Sequence, residues 1–201
     1  MADFEKTRGN FILSSSVSGS GLLLVTGPNG SGKTTFLRCI AGIEEVDRGQ
    51  IIVNGRDITH EPANRRRTVY IDQNTFFAHM DVESHLKWGL RLNGVKDTSD
   101  QLVNRAKEIF GVKVTGKVGE KSLGERERIA IATAMLAEPE AVLIDEAVSN
   151  ISNPQGFTAS LKEYAAEKRI DVVLVSQDTQ LLPLCDAYFT ADHGVVKPGR
   201  I

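Results

Sequence analysis

The sequence predicts an α/β fold with a mainly parallel sheet, a small antiparallel β part and an inserted helical subdomain. Three short apolar runs, at residues 22–26, 141–144 and 171–175, indicate strands that are buried on both faces of a sheet. Segments with helical spacing alternate with these runs, which is the pattern of an α/β layer. A glycine-rich loop separates the first run from the first helix, so the chain contains a strand–loop–helix unit.

The remaining elements follow from turn and stop signals. Residues 50–53 predict a strand, Asn54 and Gly55 predict a hairpin turn, and a partner strand is expected to return near residues 68–71. Helices are predicted over residues 36–41, 83–92, 100–110, 124–137 and 156–168.

The apolar strands are confined to two parts of the chain. Residues 74–122 contain none of them, so this stretch is predicted to form the helical subdomain. Residues 1–73 and 123–201 are then predicted to form the α/β core together.

Composition and charge exclude several classes of protein. A length of 201 residues with 41% hydrophobic content suits a globular fold with a core, and a net charge of −2 argues against nucleic acid as a partner. The basic residues 65–67 are predicted to form a solvated surface turn.

Cys39 and Cys185 lie far apart without a Cys/His cluster, which argues against disulfides and zinc and favours a reducing compartment. No apolar run reaches the roughly 18–20 residues of a membrane span, and residues 1–6 do not predict a signal peptide.

The glycine-rich loop has the P-loop pattern Gly-x-x-x-x-Gly-Lys-Thr. Its glycines let successive N–H groups point at phosphate oxygens, and the following helix adds its positive end. Lys33 is predicted to reach the β- and γ-phosphates, and the Thr34 hydroxyl to bind magnesium. The sequence thus predicts a site for ATP and Mg²⁺, with these residues binding the nucleotide: Gly27, Pro28, Asn29, Gly30, Ser31, Gly32, Lys33, Thr34 and Thr35.

Two carboxylates follow the second apolar run. Asp145 ends a buried strand and is predicted to join the magnesium shell, although an aspartate at a strand end can also be a simple cap. Glu146 follows directly and is predicted to polarise the attacking water or act as a general base. A P-loop alone is also compatible with a small kinase. The Asp145–Glu146 pair narrows the classes of P-loop protein that fit the sequence.

The order of these motifs resembles that of the ABC (ATP-binding cassette) ATPase family over nearly the whole chain. Residues 27–34 match its Walker A motif and residues 141–146 its Walker B motif, and Gln73 matches the glutamine that contacts magnesium and water. Ser122 and Gly124 fall within the family's signature. The resemblance implies that two domains pair head to tail, so that Ser122 and Gly124 of one cap the ATP of the other.

The same resemblance implies partners and a location. The second domain is either a copy of this chain or another ABC ATPase subunit, and a transmembrane permease docks on the helical subdomain. The protein is expected in the cytoplasm, peripheral on the inner face of the cell membrane. The aromatic side chains of Phe76, Phe77 and Trp88, with Leu86 and Leu90, are candidates for the docking cleft or for the subdomain's own core.

Several positions depart from the family pattern. Leu123 replaces a glycine and Glu125 a glutamine of the signature, Gln177 stands where a switch histidine is expected, and Ser152 replaces an aspartate. Gln177 keeps a hydrogen-bond donor at that catalytic position but no positive charge. We therefore expect slow ATP hydrolysis, or hydrolysis only beside a partner with an intact signature. A regulatory subunit with little turnover is the alternative.

Two further assignments rest on the resemblance. Phe4 has the spacing of the aromatic that stacks on adenine, while Phe11 is a second candidate that is favoured as a core residue. The chain's brevity and the spacing from Gln73 to Trp88 resemble the ATPase subunits of cytochrome c maturation haem exporters. Residues 57–59 and 77–82 instead resemble importers of oxyanions and metal ions. ABC proteins of DNA repair are disfavoured, because the interval from Lys33 to Ser122 cannot hold their long coiled coil.

Overall fold

The computed structural model describes residues 1–95 and 100–199, whose strands form one ten-stranded sheet. The strands are β1 (Ala2–Arg8), β2 (Phe11–Val17), β3 (Leu22–Thr26), β4 (Arg48–Val53), β5 (Arg56–Asp57), β6 (Thr68–Ile71), β7 (Ala141–Asp145), β8 (Asp171–Val175), β9 (Ala187–Asp192) and β10 (Val195–Pro198). The α-helices are α1 (Lys33–Ala41), α2 (Val82–Leu92), α3 (Asp100–Ile109), α4 (Leu123–Leu136) and α5 (Pro154–Lys168). The strand order is β5-β4-β1-β2-β10-β9-β3-β8-β7-β6.

The sheet has a parallel half and a largely antiparallel half. Strands β9, β3, β8, β7 and β6 run parallel, whereas β1 pairs antiparallel with β2 and β4. The predicted α/β fold is confirmed, but its antiparallel part is larger than predicted, because β1 pairs with β2 and β4, β4 with β5, and β9 with β10 in antiparallel fashion. The three apolar runs form β3, β7 and β8 at the centre of the parallel half.

Alternate residues of the central strands belong to different cores, which explains why these runs are continuously apolar. Leu22 and Leu24 pack in a core with α2 to α5, while Leu23 and Val25 face the core that contains α1 and the antiparallel strands. Helices α2 and α3 therefore share one core with the sheet. The predicted domain boundaries at residues 73/74 and 122/123 stay a prediction. None of the helices in the described ranges is long and apolar enough to cross a membrane.

The hairpin prediction was half right. Asn54 and Gly55 do form the turn, with φ angles of 48° and 76°. The returning strand is β5, where Arg56 pairs with Val53, because a two-residue loop brings the chain back at once. Residues 68–71 instead form β6, which pairs in parallel with β7 at the far edge of the sheet.

The prediction that residues 65–67 form a solvated turn was wrong for Arg66, which is 2% exposed. Its guanidinium donates to the backbone oxygens of Cys39 (2.7 Å) and Ile40 (3.1 Å), and to that of Thr59 (2.8 Å). Cys39 and Ile40 lie in the last turn of α1, where carbonyl groups lack helical partners and attract a cation. Burial lowers the pKa of Arg66. Arg66 thus anchors α1 from its C-terminal end.

Candidate functional site

A cleft of about 690 Å³ opens beyond the carboxyl ends of β3, β6 and β7. Ligands of open parallel sheets bind at this edge, because the loops that follow the strands meet there. The cleft is lined by Arg8, Phe11, Asn29, Gly30, Gly32, Lys33, Thr34, Thr35, Asp72, Gln73, Asn74, Asp145 and Glu146.

The loop between β3 and α1 forms one wall of the cleft. Gly27 has a φ of 152°, and a Cβ there would lie 2.0 Å from the Ala191 carbonyl oxygen, so the position excludes any side chain. Gly32 is the N-cap of α1, with a φ of 102°. Among the described residues no side chain caps α1, and its first turn carries no acidic group. The N–H groups at this helix end therefore remain available to an anion.

Lys33 spans the loop from the first position of α1. Its side chain is buried, and Nζ donates to the Gly27 and Pro28 carbonyl oxygens at 2.9 Å each. Nζ also lies 3.9 Å from Oε1 of Glu146. The hydroxyl of Ser31 is buried without a hydrogen-bond partner in the described part of the chain. The loop thus contains the Lys33 ammonium group, which two carbonyl oxygens hold in place, and the Ser31 hydroxyl, which has no hydrogen-bond partner among the described residues.

Asp145 and Glu146 face the loop from the end of β7. Asp145 is 8% exposed, and its Oδ2 accepts a hydrogen bond from the Tyr70 hydroxyl at 2.8 Å. Burial and the neighbouring Asp145 charge raise the pKa of Tyr70.

Glu146 has a left-handed backbone, with a φ of 58°. This conformation costs on the order of 1–3 kcal/mol in a residue with a side chain. It is held by the Glu146 N–H, which donates to Val175 O at 3.1 Å, and by the Ser149 hydroxyl, which donates to Glu146 O at 2.6 Å. These contacts keep the Glu146 carboxylate at the cleft beside Lys33.

Gln73 and Gln177 approach from two further loops. Gln73 lies on the cleft wall just after β6, next to a turn in which the Asp72 carboxylate accepts from Asn74 N at 2.9 Å. Gln177 follows β8 and donates from Nε2 to Asn29 Oδ1 at 2.8 Å. Gln177 thus touches the P-loop through Asn29, one of the residues that line the cleft.

Phe4 was predicted to stack on adenine, and its position contradicts this. It is 2% exposed and stacks on Phe36 with a centroid distance of 5.9 Å, inside the core beneath α1. Phe11, which the sequence favours as a core residue, is half-buried against this core and also lines the cleft together with Arg8. The tight turn between β1 and β2 carries both of these residues to the P-loop. Sequence reasoning missed Arg8, since a lone arginine in a strand has no motif.

Ser122 and Gly124 lie away from the cleft, at the N-terminus of α4. A Cβ on Gly124 would lie 2.2 Å from the Asn150 carbonyl oxygen. Ser122 forms a capping box with Glu125, whose Oε2 accepts from Ser122 N at 2.9 Å and from Ser122 Oγ at 2.7 Å. These hydrogen bonds lower the pKa of Glu125. Glu125 is therefore bound to its own helix end.

The family profile described as ABC transporter matches residues 12–149, and the chain belongs to this family. It is 37% identical over 150 residues to the molybdate/tungstate import ATP-binding protein of Pyrococcus abyssi, covering 72% of this chain and 44% of that protein. It is 35% identical over 158 residues to the Fe(3+) ions import ATP-binding protein of Agrobacterium fabrum, covering 73% of this chain and 44% of the relative.

A third relative is the sulfate/thiosulfate import ATP-binding protein of Synechococcus elongatus, 31% identical over 186 residues, with 88% of this chain and 53% of that protein covered. The chain thus spans about half the length of the curated relatives it matches.

Solved structures agree on the fold. An ATP binding subunit of an ABC transporter superposes with a TM-score of 0.78 at 21% identity, covering 97% of this chain and 86% of that chain. A nucleotide-free ATP-binding cassette gives 0.76 at 22% identity, covering 98% and 89%. At these identities the likeness concerns the fold alone, which is that of an ABC cassette.

Proposed function

We propose that this chain is the ATP-binding subunit of an ABC importer for an oxyanion or a metal ion. It binds ATP with magnesium in the cleft and couples slow or partner-dependent hydrolysis to transport. The observation that carries the proposal is the convergence of Lys33, Asp145 and Glu146 on one cleft around an uncapped helix N-terminus. The importer assignment draws on the relatives, which are import subunits. Nothing among them supports the predicted haem export.

Three features fit a triphosphate in the loop. Gly32 lines the cleft at the N-cap of α1, where the first N–H groups of the helix are available to a phosphate. The buried Ser31 hydroxyl lacks a partner among the described side and main chains, and a phosphate oxygen would satisfy it. Lys33 supplies the positive charge from a buried position.

Oxygen ligands suit magnesium at the other side of the cleft. The Asp145 carboxylate, the Thr34 hydroxyl and the Gln73 amide oxygen would hold the ion, which neutralises negative charge on the phosphates when bound. Glu146 is in place to orient the attacking water and to accept its proton. Gln177, which touches Asn29, would add a neutral hydrogen-bond donor beside the γ-phosphate.

Slow turnover is supported by the N-terminus of α4. In the proposed head-to-tail dimer, Ser122 would face the ATP of the other domain, yet its hydroxyl donates to the Glu125 carboxylate. Glu125 also brings a negative charge toward a negative phosphate, which is unfavourable. A second ABC subunit with an uncharged residue at this position would therefore complete the chain's ATP site better than a second copy.

A permease partner is supported by an apolar groove of about 340 Å³ between β6, α2 and α4. Phe77 stacks on Trp88 along this groove at a centroid distance of 4.5 Å, and Leu92 at its rim is 64% exposed. His85 holds the backbone of Phe77 at the groove, because its Nε2 accepts a hydrogen bond from Phe77 N at 3.2 Å. Burial lowers the pKa of His85 to about 4. An amphipathic segment of the permease would fill this groove and keep the chain at the membrane.

Of the five candidate docking residues, three line the groove and two do not. Phe76, Phe77 and Trp88 belong to its wall, whereas Leu86 and Leu90 are buried in the core, 0% and 3% exposed.

The test compares the wild-type chain with Glu146→Gln, measuring ATP affinity with magnesium and single-turnover hydrolysis. We expect both proteins to bind ATP equally and the variant to hydrolyse it about 10²–10⁴-fold more slowly, which is the usual contribution of a positioned base. Glu120→Gln, on an exposed turn, serves as the matched control. Binding without turnover in either protein would favour a regulatory subunit, and absence of binding would refute the proposal.

A further inference from the structure

We propose that Tyr70 positions the Asp145 carboxylate for magnesium, a role that none of the sequence motifs assigns. The proposal rests on the ATP–magnesium site proposed above and deepens it. Tyr70 does not touch the nucleotide in this scheme. It acts through Asp145, as a residue that holds a metal ligand in place.

Strand register explains how Tyr70 reaches Asp145. Strands β6 and β7 are parallel, and Tyr70 lies opposite Leu143. Asp145 is two residues beyond Leu143 and therefore on the same face of the sheet. A tyrosine side chain is long enough to reach this diagonal neighbour on the adjacent strand. The hydroxyl meets Oδ2 of Asp145 at 2.8 Å.

Burial makes this hydrogen bond consequential. Asp145 is 8% exposed, so water can do little to orient its carboxylate. Within the described ranges, the side chain that donates a hydrogen bond to the Asp145 carboxylate is that of Tyr70. With Oδ2 held by the phenol, Oδ1 remains for a cation in the cleft. Outer donors to metal-binding carboxylates typically change metal affinity by about 10- to 100-fold when removed.

The sign of the effect on magnesium affinity separates this role from the opposite one. If the phenol occupied the oxygen that magnesium needs, its removal would tighten metal binding. If it orients the carboxylate, its removal weakens metal binding. Tyr70→Phe removes the hydroxyl alone and leaves the ring packed.

The experiment titrates Mg²⁺ into wild-type chain and Tyr70→Phe at fixed ATP, and measures ATP affinity in EDTA as a second readout. We expect the Mg²⁺ concentration at half-saturation to rise at least about tenfold in Tyr70→Phe. Affinity for metal-free ATP should not change, which also reports that the variant is folded. Tyr164→Phe is the matched control, because Tyr164 is a buried tyrosine of α5 that packs on Phe110.

A double-mutant cycle tests the route through Asp145. In an Asp145→Asn background, Tyr70→Phe should have no further effect on magnesium dependence, because the two residues act as one unit. Unchanged or tighter magnesium binding in Tyr70→Phe alone would overturn this inference and leave the proposed function standing. If the wild-type chain showed no magnesium-dependent ATP binding, both this inference and the proposed function would be overturned.

Discussion

The N-termini of α1 and α4 both face phosphate under the proposed function, yet they are built differently. No side chain of the described residues caps α1, and its N-cap is Gly32. Helix α4 is closed by the Ser122–Glu125 capping box. The N-terminus of α1 leaves its N–H groups and the Lys33 charge available to a ligand. The N-terminus of α4 is instead bound by the Glu125 carboxylate of the same helix.

This difference separates binding from turnover within one chain. An open helix end attracts an anion through its N–H groups and dipole. A capping box is worth about 0.5–2 kcal/mol of stability, but it occupies the same donors and adds a negative charge. The chain is therefore expected to bind ATP well at α1 and to complete another domain's ATP site poorly at α4.

Of the effects that compare the two helix ends, the largest is expected at α1. Lys33→Ala should weaken ATP binding by about 1.5–3 kcal/mol, which is the range for a hydrogen bond to a charged group and roughly 10- to 150-fold in Kd. Isothermal titration with ATP and magnesium measures this. Lys197→Ala removes the same charge from an exposed position on β10 and should leave the Kd unchanged. Equal ATP affinities for the wild type, Lys33→Ala and Lys197→Ala would mean that α1 is not part of the ATP-binding site.

A smaller effect of opposite sign is expected at α4. Glu125→Gln keeps the shape of the capping box while removing the charge beside Ser122. Removing a like charge about 4 Å from phosphate is worth at least about 1 kcal/mol. ATP-dependent self-association in a Glu146→Gln background should therefore strengthen at least about fivefold. Sedimentation velocity measures it, with Glu163→Gln on the exposed face of α5 as the control. Unchanged association would mean that α4 does not meet the partner's phosphate.

Local sequence was sufficient for the parts of the site that depend on consecutive residues. The P-loop and the Asp145–Glu146 pair each follow one apolar strand directly, and the parallel arrangement of β3 and β7 brings both to the same cleft. The helix bounds were predicted closely, since periodicity and stop signals act within a few residues. Strand β8 was predicted at its observed bounds, Asp171–Val175.

Sequence reasoning failed where strand order decides the contact. Tyr70 reaches Asp145 because β6 is the neighbour of β7, although 75 positions separate the two residues in the chain, and no local pattern contains that pairing. Phe4 has suitable spacing for adenine, but the register of β1 directs it into the core. Arg66 is buried because the C-terminus of α1 lies beside it.

The smallest effect concerns the cap of α4 itself. Ser122→Ala should lower the free energy of unfolding by about 1 kcal/mol at neutral pH, as for other N-cap serines. Chemical denaturation measures this, with Ser84→Ala on the exposed face of α2 as the control that removes a hydroxyl without a cap.

The pH dependence of that loss identifies the role of Glu125. Its folded pKa is lowered from an ordinary value of 4.5, first by the Ser122 hydroxyl and then by the Ser122 N–H. A lowered pKa means that the stabilisation is fully present above the unfolded value and is lost as the pH falls through the folded value. The stability difference between wild type and Ser122→Ala should therefore shrink below about pH 4.5. A difference that stays constant down to pH 3 would mean that the cap acts without the carboxylate, and that Glu125 is free to face a partner.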